Sequence, residues 1–269
     1  MALSSTADLA GGAGGAGGRR MVEDGCLDGS ILGAPVETMF GLHGWPDLPL
    51  GTLGTRPGPM LAAADMFDLT ITGRGGHAAM PQQAIDPVVT AAAIVSGFQT
   101  IASRSVDPLD SIVVSTTCIQ GGTTHNVIPE TVALRGTVRT LRAETKALAV
   151  RRLHEIAEQT AAAHGCTAEL TYHDGYPVTS NAPEAVEYFN DVAAATFGSE
   201  AVIDMELPVM GGEDFSYYGQ KVPACFFRLG LLPADRENMP SLHHPAFDFN
   251  DDAIAVGIEA FCQLALRAG

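Results

Sequence analysis

Between Asp65 and Tyr176 the apolar and polar positions follow a clear rhythm. Phe67, Leu69 and Ile71 alternate with polar residues, the period of a half-buried strand. After Asp86-Pro87, a favourable helix start, Val88, Ala92, Val95, Phe98 and Ile101 recur at helical spacing. Residues 111–119 form a β-branched run and predict a second strand. A third, over 131–140, sets Val132, Leu134, Gly136 and Val138 against Thr131, Ala133, Arg135, Thr137 and Arg139. Residues 143–164 predict a helix that buries Leu148, Val150, Leu153 and Ile156 and stops at Gly165. A strand over 168–172 closes the set. The order β-α-β-β-α-β is the ferredoxin-like split motif, a sheet with its helices on one face. The open face and any unpaired edge are natural places for the chain to dimerise.

The flanking pieces read differently. Residues 19–24 predict a short helix stopped by Gly25, and 36–42 an apolar strand running into a loop at His43. The stretch 51–59 is dense in turn formers and predicts a hinge, with a second hinge at 174–177. Residues 183–197 predict a helix with Val186, Phe189 and Val192 on one side and Gly198 as its stop. A strand follows over 224–229, and Asn250 or Asp251 caps a last helix carrying Ile254, Ile258, Phe261 and Leu264. The expected organisation is α/β. A flexible Gly/Ala-rich segment covers 1–18, one domain is built from 19–63 with 178–269, and 64–177 is inserted between them. Gly12, Gly14 and Gly17 satisfy G-x-G-x-x-G, but no strand precedes them, so composition rather than a dinucleotide site explains them.

Charge narrows the partners. Across 269 residues, 31 acidic against 15 basic side chains give a net charge of −16. A nucleic-acid partner is excluded, because neutralising phosphates needs a basic face. Five scattered cysteines without C-x-x-C spacing predict reduced thiols in a cytoplasmic setting. No apolar run is long enough to span a membrane. The start of the chain lacks the positive region of a signal peptide, since Arg19 and Arg20 follow the Gly/Ala stretch.

The residues with chemical potential are mostly histidines. His43 precedes Gly44-Trp45-Pro46 and His243 precedes His244-Pro245, each expected at a strand end or in a tight turn. Either is a metal ligand or a hydrogen-bonded structural histidine. His77 follows Gly73-Arg74-Gly75-Gly76, where glycines allow close approach to a ligand, or where a plain turn would also place a histidine. Asn126 precedes the third strand and can aim its amide at a substrate. Glu213-Asp214, after Gly211-Gly212, is a carboxylate pair at a helix start; Glu213 stands as a substrate-binding candidate and capping as the plain alternative.

Seven segments then occur in order. They are Gly-Leu-His43-Gly-Trp-Pro, Arg56-Pro-Gly-Pro-Met60, Gly75-Gly-His77-Ala-Ala-Met-Pro81, Asn126-Val-Ile-Pro129, Leu134-Arg-Gly-Thr-Val-Arg139, Met210-Gly-Gly-Glu-Asp-Phe215 and Leu242-His-His-Pro245 with Asp248-Phe-Asn-Asp251. Together they resemble the amidohydrolase branch of the aminoacylase/carboxypeptidase metallopeptidases, which includes hippurate hydrolases and auxin-conjugate hydrolases. The resemblance runs from about Arg19 to the C-terminus. It implies a zinc-peptidase-like catalytic domain interrupted by a ferredoxin-like dimerisation lid, and hydrolysis of the amide bond of N-acyl amino acids. It implies two divalent metals (zinc, manganese or cobalt) sharing a water that a Glu deprotonates, a pair of cations stabilising the oxyanion. By the resemblance, His43 and His243 match metal ligands. His77 matches a lid histidine that enters the partner subunit's site, and Asn126 a lid residue near the substrate carboxylate.

The family also carries an H-x-D-type motif, a C-G-H-x-x-H-type motif and a Glu-Glu pair near the N-terminus. The position of that pair falls near Gly12-Ala13, and no Glu precedes Glu23. The expectation is therefore an N-terminally truncated chain without amidase activity of its own, since a catalytic zinc takes three protein ligands. Two alternatives stand beside it: a non-catalytic remnant acting as a lid-mediated dimerising or regulatory protein, and a truncated gene product of an active hydrolase.

Overall fold

The computed structural model describes residues 16–31 and 33–267. Most of the segment expected to be flexible, 1–18, lies outside the described residues; its last residues start a helix. In chain order the elements begin with α1 (Gly17–Glu23), β1 (Met39–Pro49), β2 (Leu53–Thr55) and β3 (Gly58–Leu61). Then come β4 (Ala63–Thr72), β5 (Gly76–His77), α2 (Pro87–Thr100), β6 (Ile112–Gly121), β7 (Val127–Ile128), β8 (Thr131–Thr140), α3 (Ala143–Ala163) and β9 (Thr167–Tyr176). The remainder is β10 (Thr179–Asn181), α4 (Pro183–Phe197), β11 (Val202–Asp204), α5 (Ser216–Gly219), β12 (Ala224–Leu232) and α6 (Asp252–Leu266). Among the described residues, no helix is long and apolar enough to cross a membrane.

The chain divides into two compact units, one of 62–178 with 210–213 and one of 16–61, 179–209 and 214–269. The middle unit holds an antiparallel sheet in the order β6-β8-β4-β9, the β-α-β-β-α-β arrangement. Alternation sends Phe67, Leu69, Ile71, Val132, Leu134 and Val138 into one core with α2 and α3. Asp86 accepts the amides of Val88 and Val89 and so starts α2 as expected.

The buried helix faces are shifted from those expected. In α2 they are Thr90, Ala91, Ile94 and Phe98, while Val88 is exposed. In α3 small residues do the packing: Ala149, Ala157 and Ala161 are buried with Leu153, and Leu148, Val150 and Ile156 only half so.

The other unit is built on the sheet β1-β12-β2-β11. β12 is its central strand and is buried on both faces, as its nearly unbroken apolar run requires. Phe227, Leu229 and Leu231 face α4 and α6 on one side. Phe226 faces Phe215 and Tyr218 on the other. Asn181, buried, ties the unit together: its amide nitrogen donates to Thr55 Oγ1 and to the carbonyls of Arg56 and Phe226, and its oxygen accepts the Phe226 amide.

Four expectations are corrected here. His43 lies inside β1 rather than in a loop after it, because parallel pairing with β12 carries the strand past His43 to Trp45. The turn-rich stretch 51–59 contains β2 and the start of β3, its glycines and prolines separating short strands. Glu213-Asp214 does not cap a helix of its own: α5 is four residues long and has no side-chain cap. In α6 Ala253, Gly257, Ala260 and Leu264 are buried, while Ile254, Ile258 and Phe261 are exposed.

Candidate functional site

The edge strand β1 sets His43 beside Arg228 of β12 in register, with Trp45 two residues on and on the same face. His43 Nδ1 lies 2.7 Å from the Gly44 carbonyl oxygen. A carbonyl can only accept, so Nδ1 carries the proton and Nε2 presents a lone pair. This is the arrangement of a metal-ligating imidazole, oriented by a backbone acceptor on its other nitrogen. The His43 and Trp45 rings meet edge to face at 5.9 Å.

His243 belongs to the same unit and sits in an exposed turn after β12. Its φ is 66°, and among the described residues no other non-glycine has a positive φ. Such left-handed positions are uncommon outside glycine and concentrate at functional sites. No hydrogen bond or ring contact links it to His43. The neighbouring His244 is held differently, its Nδ1 accepting the Ala246 amide at 3.1 Å.

His77 and Asn126 are brought together in the middle unit. β5 and β7 pair with His77 opposite Val127, and the Ala78 amide donates to the Asn126 carbonyl at 3.0 Å. His77 Nδ1 accepts the Ala79 amide at 3.1 Å. The neutral ring therefore carries its proton on Nε2, on an exposed side chain, as an outward donor. Thr124 Oγ1 donates to Asn126 Oδ1 at 3.1 Å, which fixes the amide with Nδ2 as donor.

Glu213 is half-buried in a loop, while Asp214 accepts the Gly18 amide of α1 at 2.8 Å. Among the described residues no three His, Cys, Asp or Glu side chains gather as a metal centre requires.

Arg228 was not singled out from the sequence, although a lone charge in the apolar run Ala224–Leu232 is a visible signal. Its residue surface is 3% exposed, its guanidinium stacks 3.9 Å over the Trp45 ring, and Nε and Nη2 have no hydrogen-bond partner. Burial pulls its pKa down to about 10, partly offset by the charge of Asp47.

Residues 10–267 match the profile of peptidase family M20/M25/M40. The chain belongs to this family. Among M20 relatives, the N-acetylcysteine deacetylase of Bacillus subtilis is 37% identical over 251 residues, covering 93% of this chain and 62% of that protein. The N-acetyldiaminopimelate deacetylase of Streptococcus sanguinis is 38% identical over 245 residues, covering 91% and 62% respectively. The crystal structure of the YXEP protein of Bacillus subtilis, described as a dinuclear metal binding peptidase of the M20 family, superposes with a TM-score of 0.73 at 32% identity. That match covers 93% of this chain and 60% of the other. The chain thus spans less than two thirds of the length of these M20 relatives.

Proposed function

We propose that this chain contributes to the metal-dependent hydrolysis of the amide bond of N-acyl amino acids. The observation that carries the reading is the opposite setting of two imidazoles. His43 offers a lone pair from Nε2, as a metal ligand must, and His77 offers an Nε2 proton, as an oxyanion donor must. His243, held at a left-handed φ of 66°, is the second ligand. The Asn126 amide nitrogen, and with it Glu213, binds the polar end of the substrate.

The described residues do not make up a whole metal site, since a catalytic zinc takes three protein ligands and these are two imidazoles. The chain by itself is accordingly without amidase activity, and the divalent metal (zinc, manganese or cobalt) requires further ligands. The unit of 62–178 is read as a dimerisation lid. Its β6 is an edge strand, and Ile119 on it is 61% exposed, which favours pairing with a second copy. A cytoplasmic location is consistent with five unbridged thiols.

The test is turnover of N-acetyl and N-benzoyl amino acids with zinc, manganese or cobalt. The chain alone is expected to give none. An extended form carrying the family's remaining motifs is expected to be active and to lose activity on His43→Ala or His77→Ala. Metal-dependent turnover by the chain alone, abolished by His43→Ala, would overturn the claim of inactivity.

A further inference from the structure

Arg228 stands in register with His43 on the same face of the sheet, and it is a costly residue to keep there. It is buried, and among the described residues it makes no ion pair and its Nε and Nη2 no hydrogen bond. Asp47, exposed on β1, reaches it as a charge rather than as a hydrogen-bonded partner. An apolar side chain would fill the place without taking a guanidinium out of water. What the guanidinium alone brings is a flat cationic plane that the face of an indole attracts, and it stacks at 3.9 Å over the Trp45 ring. Local rules of packing are broken in this way where a site needs the exception.

Trp45 can take the stack because its in-register partner on β12 is Gly230, which has no side chain. The indole then meets the His43 imidazole edge to face, with 5.9 Å between ring centres and 70° between planes. The hydrogen bond that orients His43 is local, from Nδ1 to the Gly44 carbonyl at 2.7 Å. A histidine free in water carries its neutral proton mostly on Nε2, the opposite arrangement. On a half-buried ring, water competes for that carbonyl, so one bond to the next residue is a weak hold. The ring needs a wall to stay turned.

We propose that Arg228 is a positioning residue: stacked on Trp45, it holds the indole against the His43 imidazole and so keeps Nδ1–H on the Gly44 carbonyl and the Nε2 lone pair free. The contact runs from guanidinium to indole to imidazole, all on one face of the paired strands β1 and β12. The inference rests on the reading of His43 as a metal ligand and adds to it a residue that acts through Trp45.

The test uses the chain as it is. Heteronuclear NMR of the imidazole nitrogens, at a pH where His43 is neutral, reads which nitrogen carries the proton. The parent chain is expected to hold His43 as the Nδ1–H form. Arg228→Met keeps an unbranched side chain but removes the cationic plane, and should raise the ratio of Nε2–H to Nδ1–H about tenfold. Trp45→Leu, on the half-buried edge strand, should do the same. Arg228→Met added to Trp45→Leu should change the ratio no further, because the two act along one path. Trp45 is the single tryptophan of the chain, so its emission shows independently whether the indole has moved in Arg228→Met.

An unchanged ratio in folded Arg228→Met, or a second and additive shift in the double variant, would overturn the proposal. If Arg228→Met does not fold, an unchanged ratio in Trp45→Leu overturns it equally. A parent chain with His43 already in the Nε2–H form would overturn both the proposal and the ligand setting on which it rests. The metal reading fails by a different sign: zinc added to the parent chain would leave the His43 Nε2 resonance where it was, while the tautomer ratios still decide the role of Arg228.

Discussion

The backbone amide of Gly175 donates to Asp65 Oδ1 at 2.8 Å, joining the end of β9 to the start of β4. The Asp65 side chain is wholly buried, and it also accepts Lys146 Nζ at 3.0 Å and the Tyr172 hydroxyl at 2.8 Å. Lys146 is in turn paired with Asp174 at 2.7 Å. Every lone-pair direction of the carboxylate is used, which is the condition for burying a charge at tolerable cost.

Asp65→Ala removes the acceptor shared by the Tyr172 phenol, the Gly175 amide and the Lys146 ammonium, and leaves the half-buried ammonium with Asp174 alone. The expected loss is ~3–5 kcal/mol, the range for removing one partner of a buried ion pair. Urea unfolding monitored by circular dichroism reads it. A loss below about 1 kcal/mol would mean the network is worth no more than a surface pair.

The same network sets an alkaline limit. Burial, reinforced by the charge of Asp65 and the hydrogen bond to it, raises the Tyr172 phenol well above its ordinary 10.0. Burial lowers the Lys146 ammonium, but its bonds to Asp174 and Asp65 outweigh this and leave it above 10.5. Both groups hold their protons more tightly when folded. Their stabilisation is therefore complete below about pH 10 and is lost as pH rises beyond it. Urea midpoints should be flat between pH 7 and 9 with respect to these groups and fall above pH 10. Tyr172→Phe should cost ~1 kcal/mol at pH 7 and make the alkaline fall shallower.

Gly175→Ala probes the close approach directly. A Cβ there would sit far inside the contact distance to the Ala64 carbonyl oxygen, backbone that cannot swing away. The expected cost is ~2–3 kcal/mol, with the thermal midpoint as readout.

In the other unit, Asn181→Ala removes four hydrogen bonds at once, three of them to backbone. The Phe226 amide is left buried and unpaired between β10 and β12. A loss of ~2–4 kcal/mol is expected, again by urea unfolding.

The middle unit was legible in the sequence because its sheet packs on one face only. Alternation at Phe67, Leu69 and Ile71 and at Val132, Leu134 and Val138 reports that face without help from distant residues. The placement of His43 was not legible. Its strand continues only because β12, far along the chain, pairs with it, and Pro46 and the glycines on either side suggest a loop. The helix faces misled for another reason. Periodicity draws the eye to large side chains, but helices α3 and α6 come close to their neighbours by burying Ala149, Ala157, Ala161, Ala253, Gly257 and Ala260. The histidines were legible as candidates, but not which nitrogen each presents. That is fixed by carbonyl and amide groups one or two residues away, through backbone turns that composition does not encode.

The clasp between Asp65 and Gly175 has a topological consequence. Ala64 lies opposite Tyr176, so the polypeptide enters and leaves the middle unit at neighbouring points of adjacent strands. A stretch with its two ends side by side behaves as a cassette. It can be excised, its termini joined by a short linker, and a new opening cut elsewhere, without disturbing the sheet it encloses. Residues 62–178 expressed alone should then fold cooperatively and keep slow amide exchange along β4 and β8, and a circular permutant opened within 107–110 should do the same.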